Sequence, residues 1–227
     1  MPKTPLKQEA YQHIKGKITS CEYAPGMDLT EAFLLEDTGL SRTPIRDALS
    51  RLEQEGLLLI MPKKGMRVSD LTVGDINAVY ETRNLVEPYA IRQFGPKMDQ
   101  KILLAMQKEF KTLFETEKNR AGNTSGIDLA PLYEVDDNLH QYIITCSANP
   151  YLLTLMNMIA TQNARLRILT STTHARLIAS HPEHIRILDL LLQEDYEAAA
   201  KAMEEHLINF KEACFRAIIK NGGWAVS

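Results

Sequence analysis

Long hydrophobic runs are missing from this sequence. No stretch of about 18 apolar residues occurs in its 227, so nothing in it reads as a membrane-spanning helix. Its opening, MPKTPLKQEAYQHIKG, lacks the apolar segment of a secretory signal. Cysteine is scarce: Cys21, Cys146 and Cys214 are scattered, odd in number and without metal or redox spacing, which argues for reduced thiols and against a disulfide framework. A surplus of basic charge is absent too. Lys and Arg total 26 against 29 Asp and Glu, a formal net charge of −3, so any attraction to nucleic acid must be local. No internal repeat or low-complexity segment is visible. What remains, with 44% hydrophobic and 24% charged residues, is the balance of a globular protein long enough for one large domain or two smaller ones. The expectation is a cytoplasmic protein with no membrane partner.

The first section runs from Met1 to about Asp70. Leu6, Ala10, Ile14 and Ile18 recur one helical turn apart and predict an amphipathic helix, which Pro25 and Gly26 end. A short helix follows around Thr30–Asp37, with a turn at Gly39. The stretch SRTPIRDALSRLEQEGLL, Ser41–Leu58, predicts a third helix. After Gly56, LLLI reads as a short strand, PKKG at Pro62–Gly65 as a turn and MRV at Met66–Val68 as a second strand. Three helices and a β-hairpin is the order of a winged helix-turn-helix.

In the third helix Ile45, Ala48, Leu49 and Leu52 fall at i, i+3, i+4 and i+7, the face that packs inward. Ser41 is suited to cap it, and Pro44 lies in the first turn, where a missing N–H costs little. Arg42 and Arg46 stand one turn apart near its start, with Thr43 between them. Positive dipole, free amides and two guanidinium forks suit phosphate. A guanidinium also reads guanine O6 and N7 in a major groove. On its own this reads more readily as the solvated face of an ordinary surface helix. The preceding helix and turn, and a Lys63–Lys64–Gly65 wing tip, shift the reading toward DNA. Met1–Asp70 holds ten basic and ten acidic residues, so placement rather than total charge must steer binding.

From Leu71 onward the pattern is almost entirely helical, with helices expected at Thr72–Phe94, Met98–Arg120, Ile127–Ser147, Pro150–Leu169, Pro182–Gln193 and Tyr196–Ile219. The fold class is therefore mainly α. A winged helix-turn-helix (1–70) precedes an all-α bundle of about six to seven helices (71–227). Several polar residues fall on apolar stripes of that bundle. Asp136 and His140 lie at i, i+4 among Leu132, Leu139 and Ile143. His184 aligns with Ile187, Leu188 and Leu191; His206 aligns with Ala202, Met203 and Phe210. His184 and His206 are equally far from the Glu194–Asp195 turn, so an antiparallel helix pair puts them level. A buried carboxylate with three imidazoles is costly unless something pairs them, and a divalent metal does so directly. One oxygen and three nitrogens suit zinc, nickel, manganese or iron(II). Zinc is the first expectation. His174 and His181 fall in a connector and read as surface residues. Arg83 lies in the stripe of its own helix, where it needs an anion: an internal carboxylate such as Glu87, or a ligand.

These residues carry a resemblance. A-P-G at Ala24–Gly26, L-S-R-T-P-I-R-D-A-L at Leu40–Leu49, L-E-x-E-G-L at Leu52–Leu57 and P-K-K-G at Pro62–Gly65 resemble the GntR superfamily of bacterial transcription regulators. The section Tyr80–Glu87, D-D-N-L-H at Asp136–His140, E-H-I-R-I-L at Glu183–Leu188 and A-M-E-E-H-L at Ala202–Leu207 are similar to the FCD effector domain of the FadR-type branch, in its metal-binding form. The resemblance implies operator contact by Arg42, Thr43 and Arg46, with Ser41, Lys64 and Gly65 in support. It implies Asp136, His140, His184 and His206 as metal ligands and Arg83 aimed at a small organic acid, a sugar acid or other carboxylate, beside the metal. It also implies a homodimer on double-stranded operator DNA at the nucleoid. One departure stands out: some relatives place an arginine at the start of the second helix to contact DNA, where this chain has Ala32. The alternative function is a metal-dependent enzyme acting on a small carboxylate, but no general base or nucleophile stands out beside the ligands. A third reading is a DNA-binding structural protein whose bundle only dimerises.

Overall fold

The computed structural model describes residues 6–61, 65–118, 130–169 and 174–220. Among these, no helix is long and apolar enough to cross a membrane. Contacts divide the chain into two units: 1–72 with 161–169, and 73–160 with 170–227.

In the first unit, α1 (Leu6–Thr19) buries Ala10, Tyr11, Ile14 and Ile18, while Leu6 is exposed. β1 (Asp28–Leu29) is a two-residue strand that the sequence reading lacks. Thr30 then caps α2 (Glu31–Thr38), its hydroxyl accepting from Phe33 N at 3.1 Å, and Gly39 ends that helix at φ +67°, where a side chain would be strained. α3 (Arg42–Gln54) buries Ile45, Ala48, Leu49 and Leu52 as its spacing predicts. Ser41 occupies the cap position but makes no side-chain cap bond, which corrects the expectation. Pro44 is the third helical residue and has no N–H to give, so one of the two amides a cap oxygen normally accepts is missing. β2 (Leu58–Met61) and β3 (Gly65–Val68) pair antiparallel, and β1 joins β3, giving the order β1-β3-β2 with Asp28 opposite Arg67 and Ile60 opposite Met66. The wing is thus a three-stranded sheet rather than a bare hairpin.

The far end of α3 is fastened to α1. Tyr11 Oη donates to Glu55 Oε1 at 2.7 Å, and Lys15 Nζ donates to Glu55 Oε2 at 2.7 Å. Arg51 adds Nε to Glu55 Oε1 at 3.3 Å and lies over the Tyr11 ring, 3.6 Å from its centroid.

The second unit contains α4 (Val73–Phe94), a 3-10 turn (Gly95–Lys97), α5 (Gln100–Lys118), α6 (Ala130–Thr145), α8 (His174–Leu192) and α9 (Tyr196–Lys220). α7 (Pro150–Leu169) begins in this unit and ends in the first. In the bundle α9 packs on α4 and α8, α8 also packs on α5, and α6 meets α4 and α5. Asp195 caps α9, accepting from Ala198 N at 3.0 Å. α8 starts well before the expected Pro182, which lies inside the helix. His181 is therefore not a surface residue: it is 2% exposed, and its ring stands 5.4 Å from that of Phe110.

Candidate functional site

Two groups of residues stand out, one in each unit. In the first unit, Ser41, Arg42, Thr43 and Arg46 are all exposed at the start of α3. Gly65 opens β3 at φ +96°, where a Cβ would press on the Leu29 carbonyl at 3.0 Å, so the wing depends on glycine there. Lys63 and Lys64 lie outside the described residues. Arg46 is engaged by Glu31, with Nε to Oε1 at 2.9 Å and Nη2 to Oε2 at 3.2 Å. Sequence spacing gave no sign of this pair.

In the second unit the bundle brings all four expected donors together. Asp136 and His140 come from α6, His184 from α8 and His206 from α9. One donor atom from each lies within 4.8 Å of every other, and all four residues are buried. The His184 and His206 ring centroids are 4.3 Å apart, and that of His140 is about equally far from both, at 5.5 and 5.4 Å.

Two glutamates that the sequence reading did not assign to the histidines orient the rings. His140 Nδ1 donates to Glu87 Oε2 at 2.6 Å, and His206 Nδ1 donates to Glu183 Oε2 at 2.7 Å. Each bond fixes a tautomer in which Nε2 carries the free lone pair. His140 Nε2 and both ring nitrogens of His184 are buried without a hydrogen-bond partner among the described residues. His184 Nε2 stands 3.1 Å from Asp136 Oδ1 but is misaligned for a bond. Burial, with His206 adding, holds the His184 pKa down to about 3, and burial lowers that of His206 as well. Both imidazoles are neutral at pH 7. Buried ring nitrogens that have no hydrogen-bond partner among the described residues, gathered beside a carboxylate, fit a divalent cation.

Arg83 lies next to this set. It is 5% exposed, and its Nε donates to Glu87 Oε1 at 2.6 Å, so the internal carboxylate considered from the sequence is its partner. Burial would push the Glu87 carboxyl up, but Arg83 and His140 together hold it down to about 2. Glu87 is therefore ionised and bridges Arg83 to His140. Arg83 makes no other hydrogen bond among the described residues.

Comparison with known proteins places these sites in context. Residues 78–209 match the FCD domain family, and residues 6–68 match the family described as bacterial regulatory proteins, gntR family. The chain is similar to the HTH-type transcriptional repressor RspR of Escherichia coli (strain K12), at 27% identity over 98% of this chain and 95% of that one. In structure it is similar to E. coli McbR/YncC, with a TM-score of 0.77 and 18% identity over 94% of this chain and 98% of the other. The FCD domain of the regulator TM0439 has been solved in a Zn2+-bound form, which matches with a TM-score of 0.52 and 19% identity over 67% of this chain and 99% of that one.

Proposed function

The chain belongs to the FCD family, with the DNA-binding domain of the gntR family of bacterial regulatory proteins ahead of it, and on that premise we propose that a small organic acid, bound beside a divalent metal ion in the helical bundle, sets its affinity for operator DNA. The protein is a DNA-binding transcription regulator and not an enzyme. In this reading residues 1–70 form the DNA-binding domain and 71–227 the effector and dimerisation domain.

Arg42, Thr43 and Arg46 enter the major groove at the start of α3, where the helix dipole favours phosphate alongside. Ser41, Gly65 and Lys64 support that contact. A homodimer presents two such helices to a two-fold symmetric operator. Asp136, His140, His184 and His206 would hold the metal. Zinc is the first choice, and the Zn2+-bound FCD domain of TM0439 supports it; nickel, manganese and iron(II) suit the same donors. When bound, the ion supplies a Lewis-acid point for an anionic ligand. Glu87 and Glu183 hold the rings of His140 and His206 so that Nε2 faces inward. The terminal nitrogens of Arg83 grip a carboxylate of the ligand, the class being a sugar acid or another small organic acid. Effector binding then changes operator affinity by a coupling free energy between the two sites.

One observation carries this reading: four buried donors converge, and His140 Nε2 and both ring nitrogens of His184 lack a hydrogen-bond partner among the described residues. The test is elemental analysis of the purified protein, then a thermal-shift screen of zinc-loaded protein against small organic acids, with Arg83→Ala and His206→Ala in parallel. An acid at 100 times its dissociation constant should add about 2.7 kcal/mol. Stabilisation lost in both variants supports the site. Stabilisation that persists in both puts the acid elsewhere, and a wild-type chain that takes up no metal removes the centre.

A further inference from the structure

Arg46 does not project from α3 as a free cation. Its Nε and Nη2 form a two-point fork on Glu31, the first residue of α2. The carboxylate is the better anchored partner: the Glu31 side chain is 31% exposed against 67% for Arg46. Its backbone is set by the Thr30 cap, and the next turn of α2 is pinned by Leu34, which is wholly buried. The hydrogen bonds from Arg46 hold the Glu31 carboxyl below its usual range, with Arg42 adding to the effect, so the group is charged at neutral pH.

This has two consequences for an arginine that faces DNA. First, Glu31 consumes the side edge of the guanidinium. The Nη1 hydrogens and the second hydrogen of Nη2 remain, at the end of the side chain. Those end-on hydrogens form the fork that matches guanine O6 and N7. Second, an arginine already neutralised by a fixed carboxylate adds little to the non-specific attraction of phosphates, and the carboxylate itself repels them. Both effects favour base reading over backbone binding.

We propose that Glu31 is a specificity-determining residue: it aims the free end of Arg46 at a base edge and withdraws that arginine from the phosphate backbone. This rests on the reading of α3 as the groove-entering helix. An ion pair that only joined α2 to α3 would contribute little at such exposure and would leave base preference alone.

The test uses the full-length protein as wild type, Glu31→Gln, Glu31→Ala and Arg46→Ala. Circular dichroism confirms that each is folded; Glu31→Gln keeps size and shape while removing the charge. Binding sites are selected from a random duplex pool. Affinity is then measured by fluorescence anisotropy for the selected duplex, for single base-pair changes in it and for an unrelated duplex, over a salt series. Arg46→Ala should lose the preference at one base pair in each half-site. Glu31→Ala should lose the same preference by tenfold or more, with Glu31→Gln in the same direction. Binding of both Glu31 variants to the unrelated duplex should tighten, and log K against log salt should steepen by about 0.9, the increment for one added phosphate contact. If Arg46→Ala loses the preference while both Glu31 variants keep it, Glu31 is only structural and the proposal falls, with the groove reading intact. If Arg46→Ala keeps every preference, Arg46 reads no base and the proposal falls again. A wild-type protein that selects no sequence overturns the groove reading and this proposal together.

Discussion

Replacing Glu87 by alanine tests both halves of the bundle site at once. Glu87 is 0% exposed and is bonded to Arg83 and His140 at 2.6 Å each. Its loss leaves a buried guanidinium without its carboxylate. Breaking a buried ion pair from one side costs about 3–5 kcal/mol, far more than the pair adds over an apolar replacement. For a chain of 227 residues that is a fall in Tm of about 6 °C or more. The same change removes the acceptor that holds His140 Nδ1, and loss of such an outer partner lowers metal affinity about 10–100-fold. The two effects separate in the double variant Arg83→Met/Glu87→Leu. Its metal-free stability should return close to wild type, because no unpaired charge remains, while its zinc affinity stays low, because His140 still lacks its partner. Urea denaturation of metal-free protein reads the first quantity, and competition with a chromophoric chelator reads the second. Wild-type zinc affinity in Glu87→Ala would refute the orienting role. A stability loss below 1 kcal/mol would show that Arg83 finds water or another anion.

His184→Leu should abolish zinc binding while changing metal-free stability by no more than about 1 kcal/mol, since its ring nitrogens make no well-aligned hydrogen bond among the described residues; a loss above 2 kcal/mol would assign the residue to the core instead. Metal-free wild-type protein should also lose stability as pH falls below 6.5. The unfolded chain accepts a proton on His184 from that point, whereas the folded chain refuses it until about 3, so this group contributes fully above 6.5 and costs up to about 1.4 kcal/mol per pH unit below it. Denaturant titrations at pH 7.5 and 5.5 measure the slope, and an equal slope in His184→Leu would disprove the assignment.

Periodicity carried much of the architecture. The buried faces of α3, α6 and α9 are the ones their apolar spacing marks, and the four donors were visible because a polar residue on an apolar stripe is conspicuous. The misses share a cause: each depends on a contact distant in sequence or on a rule that a neighbour overrides. β1 is two residues long and has no alternation to read. Pro182 suggested a helix start, yet α8 runs through it, and that error made His181 look exposed. The signal was present, since His181 lies three residues before His184 on the same face. Glu87 was considered only as a partner for Arg83, because its bond to His140 needs α4 and α6 in contact. Glu183 and His206, or Glu31 and Arg46, meet only once α8 has packed on α9 and α2 on α3. The Ser41 cap failed on information already at hand, the proline three residues on.

The knot of Tyr11, Lys15, Arg51 and Glu55 at the back of α3 restricts how a signal is expressed. These contacts, together with the packing of α3 on α1, resist sliding of the helix along its axis or rolling about it. If α3 is the reading head, it is a stiff one, and the proposed effector has no dial inside it to turn. A response must be written in where the whole head is carried. On the proposed reading of a dimer controlled by an effector, the effector should therefore alter the tolerated spacing between half-sites and leave the letters read within each half-site the same.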